Sequence, residues 1–429
     1  MKKMKKFLSV LFSLFFITEI SFCNQEVSRK FVKESVLSNG VKVFIREDFR
    51  TPIAIVSFII PIGLMDVPLG ENATLILASG GLISKKTQKK FEAENCSCDI
   101  SAHRSYIKIT ATMDPDYIDE FLQSACEDIG SGIGAAEDLA NTKKRMILKK
   151  KLEKIHGAGV VFESVFPNIK VRGKNTENVL LTEEIINSVT EDKCKKFYAD
   201  YLRPSPMAVI VVGAVGYKSL IKSLQNTVSR LPKRKERPFS PCEFETSCEK
   251  TVSVSSKFAR DSIGYVYKIP AGTNMNFLNV YFSIFFDRLT KFLQTNSYPI
   301  LAGYSTDDFQ AGDLCRLLYL SPKRDVSFEE LKLGYELLLR SMSREKVTPE
   351  ELTKISERIS QETKIDLVNL YSILEDVRIA YLFGYDPNNS YSLATEIKKA
   401  DPELISKFTN ESFIPNLIMK IVSKYRADK

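Results

Sequence analysis

The sequence predicts an α+β fold of two tandem homologous domains, each a mainly antiparallel sheet with helices packed on one face. Strand-like segments carry β-branched residues in alternation, and helical segments place apolar side chains three and four residues apart. The two halves of the chain then repeat the same order of elements, and their strand–strand–helix order favours antiparallel sheets over βαβ units. The 429 residues, 44% apolar and 27% charged, have ordinary globular composition with room for two domains.

The first half of the chain supplies one copy of this order. Its predicted elements are strands over Val41–Arg46 and Ile53–Gly63, a helix over Ala73–Ile83, a strand over Ser105–Met113, a helix capped by Asp114, a helix opened by Thr190 and a buried strand over Met207–Gly213. The alternation and the cap residues predict each element independently of its neighbours.

The second half supplies the other copy. Its predicted elements are a strand over Ser262–Ile269, a helix over Phe277–Leu293, a strand over Asp313–Leu320, a helix over Phe328–Met342 and a long helical stretch from Thr348 through Phe383. Thr348 begins that stretch as an N-cap followed by a proline at the first helical position and a glutamate at the third.

The segment Leu231–Thr246 is rich in proline and charge and has no apolar period, which is typical of a linker. We therefore expect a first domain over residues 31–230, a linker over residues 231–247 and a second domain over residues 248–429.

The first 23 residues have the pattern of a secretory signal. Four lysines precede a short apolar run, and small residues stand near the expected cleavage after Cys23. We expect a periplasmic or secreted protein. The alternatives are an uncleaved anchor, a lipoprotein modified at Cys23 and a buried N-terminal helix. No later segment is long and apolar enough to suggest a stable membrane span.

The charge balance argues against a nucleic-acid binder. The formal net charge of +8 falls to +5 once the signal, with four lysines and one glutamate, is removed. The densest basic stretch, Lys143–Lys154, alternates with apolar residues and is typical of a solvated helix face. Contact with an anionic lipid or an acidic peptide is the alternative.

Only two histidines occur, His103 and His156, and they are far apart in the sequence. This excludes a zinc site built mainly from imidazole, while a cysteine-rich site lacks paired Cys-x-x-Cys motifs. A serine triad lacks a Gly-x-Ser-x-Gly turn, and His156 is expected to cap the end of a helix. Seven cysteines remain after cleavage, and Cys242 with Cys248 is the best candidate for a disulfide.

Several sequence segments resemble those of a known protein family. They are Leu37–Val43 (LSNGVKV), Pro52–Gly63, Phe197–Pro204 (FYADYLRP) and Arg378–Pro387 (RIAYLFGYDP). In this order and spacing the chain resembles the insulinase/pitrilysin-like (M16) metallopeptidases from Phe31 to about Lys424. The resemblance implies the two-domain fold and, in active members, a zinc peptidase.

The zinc motif of that family, His-x-x-Glu-His, falls here on Thr74–Ala78. Thr74, Leu77 and Ala78 replace the two histidines and the glutamate base, and the third ligand, a downstream glutamate, maps near Lys149 or Lys150. A cation repels zinc, and the missing base leaves no group to activate water. We therefore expect no metal, no cofactor and no zinc hydrolysis by this chain alone.

A second signature of the family is an arginine and a tyrosine in the C-terminal domain. In paired bacterial members, the subunit without zinc ligands supplies both residues to its partner. Gln294 and Leu301 occupy those positions here, and Tyr298 or Tyr304 substitutes only with a local insertion. This departure puts the supporting role in doubt, and Arg288 is expected to be structural.

The resemblance also implies a peptide-binding edge. The stretch Asp99–His103, with Ile100, Ser101 and Ala102 between, corresponds to a strand edge along which peptides add as an extra strand. An ordinary surface strand is the alternative.

Together these features predict a non-catalytic subunit. We expect it to pair with a homologous M16 subunit, as a heterodimer with a zinc-bearing chain or as a homodimer, around a chamber for peptides or unfolded protein. The alternatives are a structural subunit of a larger assembly and a stand-alone peptide binder.

Overall fold

The computed structural model describes most of the chain. The described residues are 32–132, 134, 138–153, 168, 171–172, 175, 181–203, 206–232, 243–244, 250–256, 262–269, 273–295, 300–306, 314–322, 327–366, 369–388 and 392–425. The predicted signal segment, His156 and the Cys242–Cys248 pair lie outside these residues. So does most of the predicted linker, and the domain boundaries stay a prediction.

Strands form two large sheets and one short ribbon. In chain order they are β1 (Lys33–Val36), β2 (Lys42–Glu47), β3 (Ala54–Ile60), β4 (Ser97–Ala102), β5 (Ile107–Met113), β6 (Val171–Arg172), β7 (Ala208–Gly213), β8 (Glu243–Phe244), β9 (Lys250–Ser256), β10 (Ser262–Ile269), β11 (Ile300–Thr306), β12 (Leu314–Pro322) and β13 (Leu417–Tyr425). The ribbon pairs β6 with β8.

The α-helices, also in chain order, are α1 (Asn72–Gly80), α2 (Lys85–Ala93), α3 (Ile118–Ser131), α4 (Leu139–Glu153), α5 (Glu183–Asn187), α6 (Glu191–Phe197), α7 (Tyr217–Asn226), α8 (Met275–Thr295), α9 (Phe328–Arg344), α10 (Pro349–Asp366), α11 (Leu370–Phe383), α12 (Leu393–Lys398) and α13 (Pro402–Phe408). Among the described residues, no helix is long and apolar enough to cross a membrane.

The two sheets share one topology over five strands, and the first carries β1 as an additional edge strand. The first has the order β1-β2-β7-β3-β5-β4, and the second has the order β11-β12-β10-β13-β9. In each, one parallel pair (β2 with β7, β9 with β13) adjoins strands that pair antiparallel. Strands β9, β13, β10, β12 and β11 therefore correspond to β2, β7, β3, β5 and β4. This confirms the predicted repetition and the mainly antiparallel α+β class.

The first sheet is covered on both faces. Along β3, Val56 and Phe58 point to a core shared with the helices of the first half, whereas Ile55 and Ile59 point to the opposite face. Successive strand residues alternate between faces, so an uninterrupted apolar strand requires cover on both. The cover of the second face is α11, a helix of the second half, which packs against β7 and β3.

Two predicted helices differ in extent from those observed. The stretch predicted from Thr348 through Phe383 is two helices, because Asn369 begins α11 as an N-cap whose Oδ1 accepts the Tyr371 N–H at 3.0 Å. The helix predicted over Ala73–Ile83 ends at Gly80, and Ser84 begins a further helix, α2, that the sequence did not suggest. The Thr348 cap itself is confirmed, since its hydroxyl accepts the Glu351 N–H at 3.2 Å.

Candidate functional site

Helix α1 carries Thr74–Ala78, the positions that the resemblance assigns to the zinc motif, and it is a core helix. Thr74 is 2% exposed, Leu77 is 4% exposed and Ala78 is fully buried. The leucine and the alanine belong to the main hydrophobic core of the first half. The helix packs against α6 and β4. At these positions the chain therefore has packing groups where a metal site requires imidazole and carboxylate.

Helix α4 carries Lys149 and Lys150, near which the resemblance places the third ligand. Lys150 lies on it half-buried, two turns after Lys143, so both lysines share one face of the helix. The ammonium group of Lys143 donates to the carbonyl oxygens of Asn187, at 3.0 Å, and Val189, at 2.5 Å. Because α4 also packs against α1, a basic helix lies beside Thr74–Ala78.

These residues do not fit a zinc ion. The donor set of threonine, leucine, alanine and lysine offers neither a thiolate, an imidazole nor a carboxylate. Across the described part of the chain, no group of three or more His, Cys, Asp or Glu residues is placed to hold a metal. The role that the surroundings of α1 support is packing in the core.

Strand β4 forms one edge of the first sheet. Among the strands that the structure describes it pairs only with β5, and Asp99 and Ile100 stand opposite Thr110 and Ile109. Asp99 is exposed, and the three residues that follow are half-buried. An edge strand presents backbone N–H and C=O groups that an extended peptide can pair with. The predicted stretch is thus placed at an edge, beside the motif helix.

His103 lies one residue beyond β4, which corrects the predicted strand Asp99–His103. Its N–H donates to the Tyr106 carbonyl at 2.7 Å, and its own carbonyl accepts the Leu64 N–H at 3.0 Å. Its ring stacks on the Tyr106 ring, with centroids 4.3 Å apart, and its Nε2 is 3.1 Å from Ser101 Oγ. Since these backbone groups are occupied in the hairpin bend, the pairing edge ends at Ala102.

Gly63 closes the bend from the other side. A Cβ at this position would lie 2.3 Å from the backbone of Arg104 and Ser105, so only glycine permits this approach. The residues after it, Leu64 and Met65, donate their N–H groups to the carbonyls of His103 and Arg104, each at 3.0 Å. The glycine that ends the first strand pair therefore fixes the β4–β5 hairpin.

In the second half, Arg288 is 9% exposed and forms a bidentate pair with Glu351, with N···O distances of 2.8 and 3.0 Å. It also donates to the carbonyls of Ser341 and Glu345 at the end of α9. These contacts agree with the structural role expected for it. Gln294 lies in the last turn of α8 and Leu301 near the start of β11, with side chains outside the described residues.

The reactivity of Cys98, on β4, reports how closely this edge strand packs against the core. Burial raises the pKa of its thiol to about 12, and the carboxylates of Asp99 and Glu92 act in the same direction. Relative to an unfolded thiol of pKa about 8.5, we expect alkylation by iodoacetamide at pH 8 to be slowed about a thousandfold. The neutral thiol favours the fold below pH 8.5, and this contribution is lost as the pH rises toward 12.

Peptide mapping by mass spectrometry measures the labelling of Cys98 in the native chain, with the same residue in urea as the control. The native rate should rise about tenfold per pH unit between pH 8 and 11. A native rate at pH 8 within tenfold of that in urea would contradict the packing of β4 described above.

Solved structures share this fold. A protease from Helicobacter pylori superimposes with a TM-score of 0.75 at 14% identity, over 92% of this chain and 99% of that one. The first half of the periplasmic protease PqqL from Escherichia coli gives 0.73 at 12% identity, over 92% of both chains. A peptidase M16 inactive domain from Pseudomonas fluorescens gives 0.73 at 12% identity, over 93% of this chain and 98% of that one.

No protein-family model matches the sequence, and neither does any curated protein. At identities this low the likeness establishes the fold alone. The fold expected from the resemblance, that of the M16 peptidases, is confirmed.

Proposed function

We propose that this chain, which has the fold of the M16 peptidases, is a non-catalytic peptidase-like subunit. It pairs with a zinc-bearing homologue and forms part of a chamber that binds peptides or unfolded protein. The observation that carries the proposal is the burial of Thr74, Leu77 and Ala78 in the core. The chain has the fold of a peptidase, but the helix that carries the catalytic residues in active relatives packs in the core here.

The edge of β4 supports peptide binding. It lies against α1, at the place where an active member would cleave a bound chain, and its backbone needs no particular side chain to pair with a peptide. Asp99–Ala102 would bind about 13 Å of extended peptide, at about 3.3 Å per residue.

Export to the periplasm belongs to the same proposal. It rests on the basic and apolar start of the sequence, with cleavage after Cys23. A structural neighbour described as periplasmic, PqqL, agrees with that compartment.

Affinity purification of the mature chain from its source cell, followed by native mass spectrometry, tests the pairing. We expect a complex with a homologous chain that carries His-x-x-Glu-His. A monomer at every concentration, or a stable assembly with unrelated proteins only, would contradict the proposal, and the second outcome would indicate a structural subunit instead.

A further inference from the structure

A stack of three side chains connects the second half of the chain to the peptide edge of the first. The guanidinium group of Arg378, on α11, lies over the ring of Tyr106, with its carbon 4.6 Å from the ring centroid. The Tyr106 ring is also the one on which His103 stacks. Both Arg378, 5% exposed, and Tyr106, 2% exposed, are buried. Buried rings and guanidinium groups keep fixed orientations, so the stack is a rigid contact.

Charges on both sides of the interface hold Arg378 in place. Its Nε donates to Glu375 on the same helix at 2.7 Å, and Lys108, on β5, donates to that carboxylate at 2.9 Å. Partial burial acts to raise the pKa of Glu375, but the charges of Arg378 and Lys108 outweigh it and hold the pKa below its ordinary value. The carboxylate is therefore ionised at neutral pH and orients the guanidinium over the ring.

At its other end the stack reaches the strand that would pair with a peptide. The backbone carbonyl of Tyr106 accepts the backbone N–H of His103, and Nε2 of the His103 ring lies 3.1 Å from the hydroxyl of Ser101 on β4. A displacement of the tyrosine ring would therefore move the histidine and the last two residues of the edge.

From this geometry we infer that Arg378 and Tyr106 are positioning residues for peptide binding. They fix the end of β4 through His103, so the second half of the chain sets the shape of the edge in the first. The inference rests on the proposed function, because it assigns these residues to the peptide edge. It predicts that peptide affinity depends on a helix that the peptide does not touch.

The test uses variants of the mature full-length chain. Arg378→Lys keeps the positive charge near Glu375 and removes the planar guanidinium group. Tyr106→Leu removes the ring, and Tyr106→Phe keeps it. The matched control is Tyr371→Phe, which removes another contact between α11 and the first sheet, the hydroxyl pair with Thr112 at 2.5 Å. Urea denaturation verifies that each variant is folded. If Tyr106→Leu does not fold, the result for Arg378→Lys alone decides whether the inference holds.

The binding probe is a fluorescein-labelled peptide of alternating valine and threonine, and fluorescence anisotropy measures its affinity. The same peptide with alternate N-methylated bonds, which cannot add as a strand, is the reference. We expect Arg378→Lys and Tyr106→Leu to weaken probe binding about fivefold, because an edge that is no longer held in place must be ordered when the peptide binds. Tyr106→Phe and Tyr371→Phe should remain within about twofold of the parent chain.

The second readout is the proton spectrum of the histidine rings. The chain has two histidines, so His156→Gln assigns the His103 signals directly. We expect these signals to shift in Arg378→Lys and Tyr106→Leu and to stay in place in Tyr106→Phe and Tyr371→Phe. Parent-like affinity and parent-like His103 signals in a folded Arg378→Lys would overturn the inference. If the parent chain binds both peptides equally, the peptide edge itself, and with it the proposed function, is wrong.

Discussion

Replacing Leu374 with aspartate should destabilise the whole chain by about 4 kcal/mol, because it places a carboxylate in the apolar cluster between α11 and the first sheet. Leu374 is fully buried on α11, in a cluster that includes Phe44, Ile55 and Ile210 of the first sheet. The aspartate therefore separates α11 from the sheet rather than unfolding one helix. Both halves should lose stability together.

Urea denaturation measures this change, and we expect the midpoint to fall by about 2 M for a slope near 2 kcal/mol per molar. The control is Leu333→Asp, the same exchange at a leucine of α9 that is 55% exposed, and it should change stability by less than about 1 kcal/mol. An apolar dye should bind the first sheet in the Leu374 variant. A stability loss no larger than that of the control would contradict the assignment of α11 to the first sheet.

Replacing Leu77 with glutamate introduces a carboxylate at the position predicted for the general base of active M16 peptidases, and we expect it to destabilise the fold rather than to create activity. Leu77 is 4% exposed within the main core of the first half. A carboxylate there loses both its hydration and the packing of the leucine, at a cost of about 3–5 kcal/mol.

The comparison variant is Leu148→Glu, on α4, where the leucine is 58% exposed. Thermal and urea denaturation should show a large loss for Leu77→Glu and a change within about 0.5 kcal/mol for Leu148→Glu. If both variants were equally stable, α1 would not be the packing helix described above, and the position would be open for chemistry.

The fold class and the repeated strand order were predictable because alternation and helical spacing are local patterns. Met207–Gly213 was predicted as a buried strand, and Ala208–Gly213 is buried along its whole length because α11 covers the second face of the sheet. The identity of the cover was not predictable, because the apolar face of α11 does not specify which sheet it meets. Lys108 and Glu375, which join across that contact, are 267 residues apart in the sequence.

The candidate site was likewise predictable only in part. The resemblance pointed to Thr74, Leu77 and Ala78, whose residue types predicted that no zinc is held there, and their burial agrees with that prediction. The exact end of the peptide edge did not follow, because His103 leaves the strand through backbone bonds to Tyr106 and Leu64 that no side-chain pattern signals. The stack of Arg378 on Tyr106 was likewise outside the reach of local patterns.

The measurement that tests the absence of catalysis most directly is the zinc content and peptidase activity of the purified mature chain. The chain is equilibrated with zinc, dialysed and analysed by inductively coupled plasma mass spectrometry, and a quenched fluorescent peptide reports cleavage with and without chelator. We predict zinc far below one ion per chain and no chelator-sensitive cleavage. Stoichiometric zinc together with chelator-sensitive cleavage would contradict the account.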